Sequence, residues 1–289
     1  MKILSPAKIN LFLHVCGKRA DGYHELFSLM CCVTLFDELS LKIGRGKSTE
    51  IHCSHPAVPA DKTNLAHRAA CLFQSKLGLT RGIHIDLNKR IPVAAGLGGG
   101  SSNAASILIA LNTYYDHPFS REQLMDLGLA LGADVPFFIF HRPAIATGVG
   151  EKLVAFEGAL SYRILLLFPG FKVSTAETFQ NLNFGLTNEQ KKPTSNDLKR
   201  NRFDPAYHLI NDLERVTAQK HPEIGLAKEK LLNLGAIGAL MSGSGPTVFG
   251  LFDNTETAKV ARQSLAAEKD FQLFLVDPIL EVEPIIIDD

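Results

Sequence analysis

Residues 92–102 read Pro-Val-Ala-Ala-Gly-Leu-Gly-Gly-Gly-Ser-Ser, with four glycines among the five positions from Gly96 to Gly100. No Cβ crowds the backbone at a glycine, so successive N–H groups can converge on one point. Before this stretch Ile83, Ile85 and Leu87 alternate with His84 and Asp86, the pattern of a half-buried strand. After it, residues 102–115 are apolar on nearly every side, as a buried helix requires. Strand, glycine turn and helix are therefore expected in that order. The unpaired N–H groups and partial positive charge of a helix start make such a turn a phosphate cradle. Its members would be Pro92, Val93, Ala94, Ala95, Gly96, Leu97, Gly98, Gly99, Gly100, Ser101 and Ser102. Ser101 and Ser102 can cap the helix or bond a phosphate oxygen. A plain turn needs one or two glycines, not four followed by paired serines.

Two familiar loops do not fit. A dinucleotide fingerprint would need a third glycine where Ser101 stands. A Walker A loop ending at Gly46-Lys47-Ser48 would need glycine at Leu41. Residues 44–49 read instead as a charged hairpin turn.

Lys plus Arg and Asp plus Glu both number 30, so no global field favours a polyanion, and a nucleic-acid partner is not expected. No apolar run approaches the roughly 20 residues of a membrane span, and the opening MKILSPAKIN turns polar too early for a secretory signal. A cytoplasmic protein with no membrane partner is the expectation. The cysteines at 16, 31, 32, 53 and 71 are odd in number and contain no C-x-x-C pair, so they read as buried thiols of a reducing compartment.

Strands are expected at 8–15, 31–43 and 83–87, and helices at 64–77 and from Ser120, whose capping box with Gln123 opens a helix toward Leu131. Ser174 and Glu177 suggest a second such box. The pattern changes around 150–160, dividing the chain into 1–155 and 156–289. The second part reads as strands 162–168, 237–242, 246–252 and 271–276 with helices 175–182, 207–217, 222–234 and 255–268. That order suits a ferredoxin-like βαββαβ unit with an extra helix. Residues 184–205, rich in Asn, Lys, Pro and Thr, read as an exposed loop within it.

Three segments together resemble one superfamily. The glycine loop is similar to motif 2 of the GHMP kinases, Pro6-Ala7-Lys8-Ile9-Asn10-Leu11 to motif 1, and Ser242-Gly243-Ser244-Gly245-Pro246-Thr247 to motif 3. They occur in the superfamily's order across nearly the whole chain. The resemblance implies an α+β protein with the two-domain GHMP kinase fold. A ribosomal-protein-S5-like N-terminal domain and a ferredoxin-like C-terminal domain would flank an active-site cleft. Asp21-Gly22-Tyr23-His24-Glu25-Leu26, Gly132 to Phe138 and the run LGGGSSNAA resemble the superfamily's diphosphocytidyl-methylerythritol kinases. ATP with Mg²⁺ and a cytidine diphosphate-linked methylerythritol would then be the ligands. Kinases of homoserine, mevalonate or sugars, a diphosphomevalonate-type decarboxylase, and a non-catalytic nucleotide-binding module stay open beside it.

Asp134, in the apolar run Ala133 to Phe138, can accept a substrate proton or merely cap the segment that follows. Lys8 stands in an apolar strand whose alternation puts it on one face with Asn10 and Phe12. The resemblance makes Lys8 and Asp134 a catalytic pair, with Asn10 and Thr175 toward the phosphoryl acceptor. It also implies that Tyr23 and Phe179 stack on cytosine while His24 reads the ring's edge. Asn64, Leu65, Lys89 and Asn103 would lie on the adenine side, although Lys89 also reads as a solvated strand end. Ala94 and Ala95 stand where relatives often carry glycine. Mg²⁺ would travel with ATP and touch Ser102; no protein cluster is expected as its ligand set.

Overall fold

The computed structural model describes residues 1–44, 46–182 and 202–280, and the backbone of Ile286–Ile287. Two long strands, β1 (Lys2–Lys18) and β2 (His24–Gly44), pair antiparallel around the 19–23 turn and form the spine of the first sheet. The start of β2 also pairs with β5 (Ala144–Gly148), which turns back into β6 (Lys152–Ala155). The end of β2 pairs with β4 (Gly82–Asn88), and β3 (Thr49–Cys53) lies beyond β4, parallel to it. A parallel pair needs a crossover, which α1 (Leu65–Leu77) supplies. The 44–49 connection is thus not the expected hairpin, because β4 lies between the strands it joins.

Helices α1, α2 (Gly99–Tyr114), α3 (Arg121–Leu129) and α4 (Val135–Phe140) pack on one face of this sheet. The capping box at Ser120 and Gln123 forms as expected. Helix α2 starts three residues earlier than its apolar run suggests, because Gly98 serves as N-cap in the left-handed conformation, without a side-chain bond. Ser101 and Ser102 therefore lie inside the first turn and do not cap it.

The second sheet has β7 (Arg163–Phe168), β8 (Gly238–Met241), β9 (Val248–Phe252) and β10 (Gln272–Val276) in the antiparallel order β10-β7-β9-β8. With α5 (Thr175–Gln180), α6 (Pro205–His208), α7 (Glu214–Lys220), α8 (Glu223–Asn233) and α9 (Thr255–Leu265), this is the expected ferredoxin-like arrangement. One face of β7 packs Ile164 and Leu166 against Ile9 and Leu11 of β1, and the other packs Leu165 and Leu167 against α7–α9. The order of layers is helices, sheet, sheet, helices. Burial on both faces explains the unbroken apolar run Ile164–Phe168. The chain end returns to the first sheet as β11 (Pro278–Ile279) on β2 and β12 (Ile286–Ile287) on β1.

The helix expected over 207–217 is two short ones. Between them the Leu13 N–H donates to Ile210 O at 2.8 Å and the Asp212 N–H to Leu13 O at 2.9 Å, tying the segment to β1. Only half of the box at Ser174 forms: its hydroxyl accepts from the Glu177 N–H at 3.3 Å, while the Glu177 carboxylate pairs with Lys220 at 2.5 Å. Most of 184–205 lies outside the described residues. Cys31 and Cys32 are buried, but Cys16 and Cys71 are exposed, contrary to expectation. Among the described residues no helix is long and apolar enough to cross a membrane.

Candidate active site

A cleft of about 670 Å³ opens where the glycine loop, β1, β2, α5 and the turn between β8 and β9 meet. On β1, Asn10 pairs with Met30 and Phe12 with Leu29, which leaves Leu11 as an extra residue in a bulge. Lys8 and Asn10 face the cleft, and so does Leu13 beyond the bulge. Phe12 does not share their face: the extra residue shifts the alternation and turns it into the core between the sheets.

The Lys8 ammonium lies 3.7 Å from Asp134 Oδ2 and donates to Asn10 Oδ1 at 2.6 Å. Lys8 is 6% exposed and Asp134 37% exposed. An ammonium buried without such partners would cost several kcal/mol in lost hydration. Asp134 stands at the start of α4 but makes no capping hydrogen bond, so its carboxylate is left to face the cleft. The purely capping role considered from sequence is not what the side chain does.

The glycine loop wraps the start of α2. Gly98 has φ +68°, and a Cβ there would sit 2.9 Å from Phe138 Cζ and 3.1 Å from Lys8 Cγ. Gly96 has φ +78°, and a Cβ there would sit 2.1 Å from Ser242 O. Close approach between the two glycine loops thus requires Gly96. The Ser242 hydroxyl donates to Gly96 O at 3.0 Å, and the Thr247 N–H donates to Ala95 O at 3.3 Å. Ala94 adopts φ +55°, a left-handed conformation that glycine would enter without a Cβ penalty. Of the loop residues, Pro92 to Gly96, Gly98, Gly99, Gly100 and Ser101 line the cleft. Leu97 and Ser102 do not. Leu97 is a core residue whose carbonyl accepts from the Lys8 N–H at 3.0 Å. The Ser102 hydroxyl points into the interior, 2.9 Å from that of Ser5, so it does not face a phosphate or its metal.

Lys89 is not a solvated strand end. Its ammonium is bonded to the fully buried Asp37 and lies 3.3 Å from Asn103 Oδ1. Asp37 also accepts from the N–H groups of Arg90 at 2.8 Å and Ile91 at 2.9 Å, and from Asn103 Nδ2 at 2.9 Å. Lys89 and Asn103 line the cleft floor with their polar ends already engaged. Asn64 and Leu65 line the same end of the cleft. The Asn64 side chain caps α1 through Ala66 N at 2.9 Å and donates to Pro59 O at 2.7 Å.

At the other end, Thr175 and Phe179 line the cleft, and the Thr175 hydroxyl meets that of Ser244 at 2.8 Å. The His24 ring stacks on Phe179 with centroids 5.0 Å apart and planes at 21°. Burial, and secondarily Lys18, lowers the His24 pKa below its ordinary 6.5, so the ring is neutral at pH 7 with one donor and one acceptor nitrogen. Tyr23 is 63% exposed and, like His24, does not form the cleft wall. The space expected between Tyr23 and Phe179 is therefore partly taken by His24.

Sequence reasoning missed Asp37, Ser28 and Met30, which are scattered along one strand and carry no motif. Gly243 and Ser244, within the glycine run that resembles motif 3, also line the cleft. Among the described residues no three His, Cys, Asp or Glu side chains converge as a metal-binding set.

Residues 64–142 match the family described as the GHMP kinases N terminal domain, and residues 196–270 the GHMP kinases C terminal family. A 4-diphosphocytidyl-2-C-methyl-D-erythritol kinase of Syntrophotalea carbinolica is 46% identical over 281 residues, 96% of this chain and 98% of that protein. One of Syntrophus aciditrophicus is 45% identical over 96% of this chain and 99% of that protein. A crystal structure of 4-(cytidine 5'-diphospho)-2C-methyl-D-erythritol kinase superposes with a TM-score of 0.79 at 34% identity, covering 96% of this chain and 99% of that one. A homoserine kinase from Cytophaga hutchinsonii shares the fold, with a TM-score of 0.73 at 19% identity over 97% of this chain and 95% of that one. The chain belongs to the GHMP kinases and, within them, to the family of 4-diphosphocytidyl-2-C-methyl-D-erythritol kinases. It is an ATP-dependent small-molecule kinase.

Proposed function

We propose that the chain transfers the γ-phosphoryl group of ATP to the 2-hydroxyl of 4-diphosphocytidyl-2-C-methyl-D-erythritol, in the non-mevalonate route to isoprenoid precursors. The observation that carries this is the Lys8–Asp134 pair at 3.7 Å in the cleft that the glycine loop lines. The names of relatives such as those from Syntrophotalea and Syntrophus support the choice of substrate.

The N–H groups of Gly98 to Ser101, at the start of α2, hold the triphosphate. Asp134 accepts the proton of the substrate hydroxyl as that oxygen bonds to the γ-phosphorus. The bond from phosphorus to the bridging oxygen breaks and ADP departs. Lys8 keeps Asp134 ionised and offsets charge on the phosphoryl group. Mg²⁺ supplies further neutralisation when bound with ATP. The Asp134 carboxylate and the Ser101 hydroxyl are the oxygen donors beside the loop that fit it, a set sparse enough for an ion held chiefly by phosphates. Asn64 and Leu65 take the adenine side, and Phe179 and His24 the cytosine side. The functional division falls at 1–155 and 156–289. The reaction takes place in the cytoplasm, where buried thiols such as Cys31 and Cys32 persist reduced.

A coupled ADP-release assay with the cytidyl substrate, mevalonate and homoserine tests the reading. Turnover is expected with the first alone. Asp134→Asn should lower kcat about 100- to 10,000-fold, the contribution of a general base, while ATP binding persists. A variant that kept a third or more of kcat would remove Asp134 from the chemistry.

A further inference from the structure

We propose that Ser28 of β2 is a positioning residue for phosphoryl transfer, acting through Asn10 on the Lys8 ammonium; this rests on the roles given above to Lys8 and Asp134. Four groups form a directional hydrogen-bond chain. Lys8 Nζ lies 2.6 Å from Asn10 Oδ1, Asn10 Nδ2 lies 2.9 Å from Ser28 Oγ, and Ser28 Oγ lies 2.6 Å from Phe12 O.

Both ends fix the direction. An ammonium has only protons to give, so the Asn10 atom beside it must be the carbonyl oxygen. The amide NH₂ then faces Ser28, which must accept. At the other end a backbone carbonyl can only accept, so the single Ser28 proton goes to Phe12 O. That carbonyl belongs to the residue just beyond the Leu11 bulge. Ser28, Asn10 and Lys8 are all buried, at the base of the cleft they line.

The consequence reaches Asp134. Asn10 holds the ammonium at hydrogen-bond distance, leaving it 3.7 Å from Asp134 Oδ2. That is close enough for ion pairing but beyond a direct hydrogen bond. Asp134 is thus paired with the ammonium by charge while its Oδ2 is not tied by a direct hydrogen bond from it. Without Ser28, the NH₂ end of the Asn10 amide loses the acceptor that anchors it, so the amide plane can shift and let the ammonium move toward the carboxylate. Ser28 also lines the cleft, so a direct substrate contact is the rival role to be separated.

The test is steady-state kinetics of Ser28→Ala, Ser28→Cys and Ser28→Thr, with Asn10→Ala and the double variant Asn10→Ala/Ser28→Ala. Displacing a catalytic group on this scale costs on the order of 10- to 100-fold, so Ser28→Ala should lose about that in kcat. Both KM values should stay within about 3-fold, which as RT ln of that ratio is under about 1 kcal/mol. Ser28→Cys nearly keeps the volume but accepts weakly, and should fall with alanine even if Ser28→Ala proves unstable. Ser28→Thr keeps the hydroxyl and should restore turnover. In the Asn10→Ala background, removing Ser28 should change nothing further. Wild-type kcat in Ser28→Cys, a loss confined to KM, or additive losses in the double variant would each overturn the proposal. Asp134→Asn is assayed in parallel. If it stays active, the underlying roles fall and this inference with them. If it is inactive while Ser28→Ala and Ser28→Cys match wild type, only the inference falls.

Discussion

Gly98 occupies a left-handed backbone position directly against Phe138 and the Lys8 stem. Sequence alone predicts that valine there would block phosphate and weaken ATP binding, leaving the second substrate alone. The structure widens that expectation, because a Cβ 3.1 Å from Lys8 Cγ also presses on the stem that carries the ammonium. Gly98→Val should therefore raise the KM for ATP and lower kcat together. It should also lower the melting temperature, since a left-handed residue with a Cβ costs roughly 1–2 kcal/mol before any clash is counted. Kinetics on the folded variant with a thermal melt check this. A changed KM with an untouched kcat would show that Lys8 is insulated from the loop.

At the scale of elements, local chemistry was legible and long-range pairing was not. The glycine run, the capping residues at Ser120 and the strand-helix order of the second sheet follow from nearest neighbours in sequence. The Leu11 bulge could not be seen, because Leu11, Phe12 and Leu13 are all apolar and an inserted residue among them leaves no mark on the pattern. The parallel β3–β4 pair was hidden because nothing in a five-residue strand names its partner. Asp37 was hidden for the same reason: it lies between Phe36 and Glu38, 52 residues from Lys89. Yet Asp37 fastens β2 to the exit of β4 and to the second turn of α2 through four donors. Asp37→Asn would leave the buried Lys89 ammonium without a counter-charge, which costs about 3–5 kcal/mol. The urea midpoint should fall accordingly at an unchanged slope. Asp37→Asn with Lys89→Met should recover much of the loss, because the unpaired charge is gone. A single variant within about 0.5 kcal/mol of wild type, the spread of ordinary surface changes, would mean the pair contributes little to the scaffold.

Across the whole molecule, the cleft exists only because the two sheets pack together. Lys8, Asp134 and the glycine loop come from the first half, and Phe179, Thr175 and Ser244 from the second. The stack of His24 on Phe179 joins the two halves at the mouth. Motif resemblance alone pairs Tyr23 with Phe179 around the cytosine ring, but the Tyr23 ring stands outside the wall and largely in water. The two aromatics should therefore differ in weight. Stacking on an aromatic ring contributes on the order of 1–3 kcal/mol per base, so Phe179→Ala should raise the KM for the cytidyl substrate about 5- to 150-fold. Tyr23→Ala should raise it less. The KM for ATP should hardly move in either, because Leu65, on the proposed adenine side, packs with the helices of the first sheet and Phe179 with the core of the second. Both variants are assayed against both substrates. Equal losses for Tyr23 and Phe179 would show that the 19–23 turn folds over the bound base. Equal losses for both substrates would make Phe179 a structural aromatic and detach the cytosine from this end of the cleft.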